Sequence, residues 1–213
     1  MIVHDVAQGS PEWIDLRLGI PTASRFDDIL TPKARKYAAS ARRYINELVA
    51  EWIMGEPLDG LTSFAMEHGN LYEPEARSWY EFDTDSRVQV VGFVTTTDGA
   101  VGCSPDGLVG LDGITEIKCP QPTRHIENVL GGEIATTGQV QGCLWICERE
   151  WVDTISYHPK ITPAVVRVWR DDAYIADLAA AMTRFLDELE QAKEQVRSLG
   201  DRGRREPSKR SAA

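Results

Sequence analysis

Apolar residues in the first eighty positions recur every three or four residues, and at Val88 the spacing changes to every two. The early spacing predicts helices. Ser10-Pro11-Glu12-Trp13 supplies a cap and then proline at the first helical position, and this helix should stop near Gly19. A second helix is expected after Thr22, through Ala23, Phe26 and Ile29-Leu30, until Thr31-Pro32 restarts the chain. A long helix from about Ala34 to Met54 would place Tyr37, Ala38, Tyr44, Ile45, Leu48 and Trp52 on one side, with Gly55 ending it. Past the loop Pro57 to Gly60, a helical stretch from about Thr62 to Phe82 carries Met66, Tyr72, Ala76, Trp79 and Tyr80. Pro74 should kink or restart it.

The later spacing predicts strands. Val88 to Val94 and Ala100 to Cys103 read as a hairpin around Asp98-Gly99. Gly107 to Gly113 reads as loop, and Ile114 to Cys119 as a third strand stopped by Pro120 and Pro122. Helices are expected at about Thr123 to Leu130 and Thr136 to Cys147, then strands at Val152 to Tyr157 and Ala164 to Trp169. A last long helix should run from Asp171 to about Leu199. The order implies an α/β fold with one central mixed sheet flanked by helices, the last helix covering one sheet face. Residues 1–199 should form a single domain, in which a helical region, residues 1–82, packs on a core, residues 83–199. Residues 200–213 form a basic tail expected to be disordered.

A chain of 213 residues can bury one sizeable core. Its formal charge of -10 argues against a protein that coats DNA nonspecifically, because phosphate binding needs local positive potential. It leaves room for an acidic site with basic groups gathered on one surface, and Arg25, Lys33, Arg35, Lys36, Arg42 and Arg43 are the candidate surface. The four cysteines follow no secretory leader, and no apolar run approaches a membrane span; a cytoplasmic protein with reduced thiols is expected. Cys143 and Cys147 lack a second pair at zinc-site spacing, so buried packing is the simpler expectation. Core packing is likewise expected of Trp13, Trp52, Trp79 and Trp145.

The chemistry concentrates in Ser104-Pro105-Asp106-Gly107 and Glu116-Ile117-Lys118-Cys119-Pro120. Alternation on a strand points Glu116 and Lys118 to one face and Ile117 and Cys119 to the other, while Asp106 can reach the same edge from its turn. Two carboxylates and an ammonium at one spot call for a hard divalent cation or a phosphate to balance them. The Ile117 carbonyl lies between the two side chains and can add a ligand. Mg²⁺ or Mn²⁺ with such oxygen donors, and Lys118 beside the attacking water, is the chemistry of phosphodiester hydrolysis. Glu73, in the block from His68, is the further acid to bring over the sheet edge; solvent exposure beside Glu67 and Glu75 is its plainer reading. Gln139 and Gln141 could orient the water or hold a phosphate oxygen, or could face solvent. Arg17, Thr22 and Ser24 bracket a turn where hydroxyls and a guanidinium could grip a phosphate; simple capping by Thr22 beside a surface arginine is the blander reading.

These blocks, in this order, resemble the phage lambda exonuclease family, also described as YqaJ-like viral recombinase nucleases, within the PD-(D/E)xK superfamily. The markers are Gln8-Gly9-Ser10 with Trp13, Arg17-Leu18-Gly19 through Thr22-Ala23-Ser24, Gly69 to Glu73, Ser104 to Gly107, Glu116 to Pro120 and Gln139-x-Gln141. The resemblance runs from about Gln8 to the final helix. It implies a restriction-endonuclease-like core with Asp106 and Glu116 as metal ligands, Lys118 as the catalytic lysine, Glu73 as the helix-borne acid and Gln139 as the active-site glutamine. It also implies that Arg17 grips a 5′-terminal phosphate, with Ser24 and Ser104 as hydroxyl contacts. The implied activity is Mg²⁺-dependent 5′-to-3′ digestion of linear duplex DNA by a homotrimeric ring, leaving 3′ overhangs for a single-strand annealing protein. The rivals are an endonuclease on the same core, which needs no end-phosphate site, and a DNA-binding protein without catalysis, which gains nothing from acids beside phosphate. An iron–sulfur relative would need cysteines flanking the core, whereas Cys103 and Cys119 lie inside the central segment.

Overall fold

In the computed structural model, which describes residues 1–58 and 64–202, the strands form two sheets rather than one. The larger has the order β2-β5-β6-β7-β8, formed by Val88–Gln89, Gly107–Val109, Gly113–Lys118, Trp151–His158 and Ile161–Trp169. Its pairs are antiparallel except β6 with β7, which run parallel with Glu116 beside Thr154. Parallel neighbours need a crossover. Two helices supply it, α4 (Pro122–Val129) and α5 (Thr137–Ile146). The smaller sheet is β1-β3-β4, from Ile2–His4, Phe93–Thr95 and Gly102–Cys103.

The single strand expected over Val88 to Val94 is therefore divided between the sheets. Gly92 marks the break: a Cβ there would lie 1.8 Å from the Val6 carbonyl oxygen, so only glycine lets the incoming N-terminal segment pass this close. The expected loop Gly107 to Gly113 contains β5, whose Gly107 packs under the Val88 side chain. β1 is an addition to the expected elements; its three residues carry too little alternation to read.

Helix α1 (Pro11–Arg17) has its expected cap, the Ser10 hydroxyl accepting from the Trp13 N–H. After Thr22 comes a short 3-10 helix, Ala23–Asp28, and α2 spans Ala41–Met54, not the longer stretch from Ala34. The difference is local chemistry. Thr31 bonds both backbone groups of Lys36, Arg35 takes a positive φ of 48°, and Leu30 pairs with Tyr37 in a bridge. A turn thus forms where apolar spacing alone suggested helix. α3 (Phe64–Thr84) runs through Pro74 without restarting, and α6 spans Asp172–Arg202. Among the described residues no helix is long and apolar enough to cross a membrane. The basic segment after residue 202 lies outside the described residues.

The five-stranded sheet separates two apolar clusters. On one face Ile114 and Val152 join Leu144 and Val140 of α5, Phe26, and the α2 and α6 residues Tyr44, Leu48, Leu178, Met182 and Phe185. α6 packs chiefly on α2 and α5, so it covers the helical layer rather than the sheet directly. On the other face Ile117, Cys119, Ile155 and Tyr157 lie under Ala76 and Tyr80 of α3. The predicted alternation along Glu116-Ile117-Lys118-Cys119 is thus present, with Ile117 and Cys119 turned to α3.

Candidate active site

β6 delivers Glu116 into a nearly closed position, 3 % exposed. A carboxylate there is costly without partners. It has two, both on Oε1: Lys118 Nζ at 2.6 Å and the Gln139 amide nitrogen donating at 2.6 Å. Oε2 has no protein partner among the described residues. Asp106 comes from the turn before β5, where its Oδ2 accepts the Ile117 backbone N–H. This bond ties the two acidic segments together, since Ile117 sits between Glu116 and Lys118.

The electrostatics record the crowding. Burial, then the charges of Glu116 and Glu73, push the Asp106 carboxyl well above the usual carboxylate range, against the pull of Lys118 and the Ile117 N–H. Burial works against the Lys118 ammonium, but Glu116 and Asp106 more than offset it and its pKa is raised. Cys119 is pushed up to about 12 by burial and by Glu73, Asp106 and Glu75. Glu73 is thus close enough to act on Asp106, although its own carboxylate is held by Arg77, one helical turn on, at 2.5 Å.

Among the described residues no three His, Cys, Asp or Glu side chains converge closely enough to form a metal shell by themselves. Each acid is turned to its own partner: Asp106 to Ile117, Glu116 to Lys118 and Gln139, Glu73 to Arg77. The donor set nonetheless fits a hard divalent cation, which takes oxygen ligands and keeps several waters. Asp106 and Glu116 each retain an oxygen without a protein partner among the described residues, and the mutual repulsion of the three carboxylates is the charge a cation would neutralise. Asp106, Glu116, Glu73 and the Ile117 carbonyl are the groups that could hold it.

Two residues before Asp106, Ser104 anchors a second cluster. Its hydroxyl accepts from Trp13 Nε1 at 3.0 Å and from Arg17 at 3.2 Å. The Arg17 guanidinium lies 4.0 Å from the centre of the Trp13 ring, a cation–π distance. Burial lowers the Arg17 pKa, offset in part by Tyr44, Glu51 and Cys103, and the group stays cationic. Gln8 fastens the segment by donating to both Val91 O at 3.1 Å and Pro105 O at 3.2 Å. Thr22 and Ser24 are tied to the neighbouring strand and helix: Thr22 bridges to Gly102 of β4, its N–H bonds the Tyr44 hydroxyl, and its own hydroxyl lies 3.4 Å from that of Ser24. Neither is hydrogen-bonded to Arg17 or Ser104.

Several expectations change. Trp13 is half-buried and belongs to the Arg17–Ser104 cluster rather than to the core. Gln141 is structural: its amide donates to Trp169 O and accepts the Asp171 N–H that leads into α6. Three of the six residues of the basic sector are ion-paired, Arg25 with Asp28 and Glu47, Arg35 with Asp171 and Asp177, and Arg43 with Glu47. The buried packing expected of Cys143 and Cys147 is present, with Cys103 beside them and the Cys103 and Cys147 sulfurs 3.5 Å apart. Gln8 and Arg77 join the site without having been singled out by sequence for any chemistry there. The i,i+4 spacing of Trp13 and Arg17, and of Glu73 and Arg77, is the signal that could have paired them.

The family model described as the YqaJ-like viral recombinase domain matches residues 12–150. The crystal structure of an alkaline exonuclease, LHK-Exo, from Laribacter hongkongensis superposes with a TM-score of 0.80 and 34 % identity, covering 91 % of this chain and 99 % of that one. The structure of LHK-Exo in complex with dAMP matches equally. A phage-related exonuclease of Haemophilus somnus 129PT shares the fold at a TM-score of 0.64 and 14 % identity, covering 83 % of this chain and 96 % of its own. No curated protein matches.

Proposed function

The chain belongs to the YqaJ-like viral recombinase family, with a PD-(D/E)xK core, and on that premise we propose that it digests linear duplex DNA from a phosphorylated 5′ end. The observation that carries the reading is one continuous site. Glu116, gripped by Lys118 and Gln139, is tied through Ile117 to Asp106, and Asp106 is two residues from the Ser104 that Arg17 holds.

In this reading Arg17 and Ser104, with Thr22 and Ser24, receive the terminal phosphate, since a guanidinium and hydroxyls suit its oxygens. Trp13 keeps the Arg17 plane fixed, so the end of the strand enters in one register. Asp106, Glu116, the Ile117 carbonyl and Glu73 are the groups that would hold Mg²⁺, or Mn²⁺ in its place, and a divalent ion there would supply Lewis-acid activation of water and charge neutralisation at the phosphate. Lys118 places its ammonium beside the same carboxylate oxygen that Gln139 fixes, where it neutralises charge developing on the phosphate in the transition state. Gln139 keeps Glu116 from rotating, leaving Oε2 toward the ligand side.

The product is a 3′ single strand, the substrate of a single-strand annealing protein. A homotrimeric ring would reconcile a net charge of -10 with a basic, DNA-lined channel. Strand-labelled linear duplex in Mg²⁺ tests the proposal. The 5′-phosphorylated form should be digested fastest, the unphosphorylated form slowly, and covalently closed circles should survive. Rapid cutting of closed circles would instead establish an endonuclease.

A further inference from the structure

Arg77 is a cation beside the carboxylates to which the catalytic reading gives no task. It follows Glu73 by one turn of α3, and the pair is largely enclosed, the side chains 19 % and 25 % exposed. One guanidinium nitrogen binds Glu73 Oε1 at 2.5 Å, yet the Nε–H is buried with no acceptor among the described residues. Native proteins rarely leave a buried donor empty, and a fork that uses one arm while another points at nothing is incomplete as a structural bridge. Glu73 meanwhile acts electrostatically on Asp106 and Cys119 without joining Asp106 and Glu116 in a shell. Its carboxylate is turned to Arg77 instead.

Resting on the nuclease reading above, we propose that Arg77 is a latch that holds Glu73 apart from Asp106 and Glu116 until the site is loaded, and that its released guanidinium then binds a backbone phosphate of the DNA. The two halves follow from one geometry. A carboxylate shared between an arginine and a metal site competes between them, so loading the site frees the fork. The freed fork presents planar donors, including the presently empty Nε–H, and these match phosphate oxygens. Arg77 is a positioning residue for the metal and a contact for the substrate.

The opposed signs make the test specific. Mn²⁺ binding to the full chain is measured by calorimetry, and KM and kcat on phosphorylated duplex ends are measured on the same preparations. Arg77→Gln removes the latch and should bind Mn²⁺ about fivefold tighter while KM for DNA rises by at least about fivefold, the worth of a partly enclosed ion pair. Arg77→Lys should shift both in the same directions by roughly twofold, because a point charge pairs without the fork. It carries the test should Arg77→Gln fail to fold. In a Glu73→Gln background, Arg77→Gln should no longer change Mn²⁺ affinity. Unchanged or weaker Mn²⁺ binding in Arg77→Gln overturns the latch, as does tightening that persists without Glu73. If the unaltered protein binds Mn²⁺ and digests DNA while Arg77→Gln changes nothing, the latch alone fails; a protein that neither binds the ion nor digests DNA removes both readings.

Discussion

Replacing Gln139 with alanine isolates one contact in the site. Its amide donates to Glu116 Oε1 at 2.6 Å, and Glu116 is 3 % exposed. A hydrogen bond to a charged group contributes about 1.5–3 kcal/mol. Lys118 remains on the same oxygen at 2.6 Å, so the carboxylate keeps a counter-charge and the fold should survive. What is lost is the orientation of Oε2. If that orientation matters only as the reaction proceeds, the loss appears in kcat, as a fall of roughly 10- to 100-fold at 1.4 kcal/mol per tenfold. KM for duplex ends should move by less than about threefold, because the proposed end-binding group is the separate Arg17–Ser104 cluster. Single-turnover digestion of a 5′-phosphorylated, strand-labelled duplex, with end binding measured on the same protein, separates the two. A variant with kcat within about twofold of the unaltered protein would refute the assigned role.

Other expectations follow from neighbouring contacts. Arg17→Ala should digest phosphorylated and unphosphorylated ends at similar rates; a preserved preference would return Arg17 to the ordinary surface. Gly138→Ala should impair activity, because the new Cβ would lie 2.2 Å from Asp27 Oδ1 and 2.9 Å from the Asp27 backbone nitrogen, displacing the start of α5 that carries Gln139; normal digestion kinetics would contradict this. Arg167→Met leaves Asp153 (3 % exposed) with only the Tyr80 hydroxyl after losing bonds of 2.8 and 2.7 Å. It should cost about 2 kcal/mol in denaturant unfolding, less than the roughly 3–5 kcal/mol of a fully buried pair because the Arg167 side chain is 44 % exposed. An unchanged unfolding midpoint would show that the pair adds nothing.

Much of the arrangement is readable because it is periodic. Alternation in Glu116-Ile117-Lys118-Cys119 fixes which side chains face α3, and β6 shows that division. The long helices and the β7–β8 pair are legible for the same reason. What escapes depends on distant chain. Gly92 divides a run of valines between two sheets because Val6 passes against it, and nothing near Gly92 in sequence says so. That Asp28, Glu47 and Asp171 pair with Arg25, Arg43 and Arg35 of the basic sector is likewise set by chain brought close only in the fold. Gln141 cannot be told from Gln139 by composition; the register of α5 against β6 and β8 assigns one to Glu116 and the other to the Trp169 carbonyl.

The central claim is that Asp106, Glu116 and Lys118 form a working hydrolytic site rather than a structural knot of charges. Lys118→Ala tests it most directly, with Mg²⁺-dependent digestion and binding to duplex ends measured on one purified preparation. Digestion should fall to background while end binding stays close to that of the unaltered protein. Digestion at an undiminished rate would contradict it.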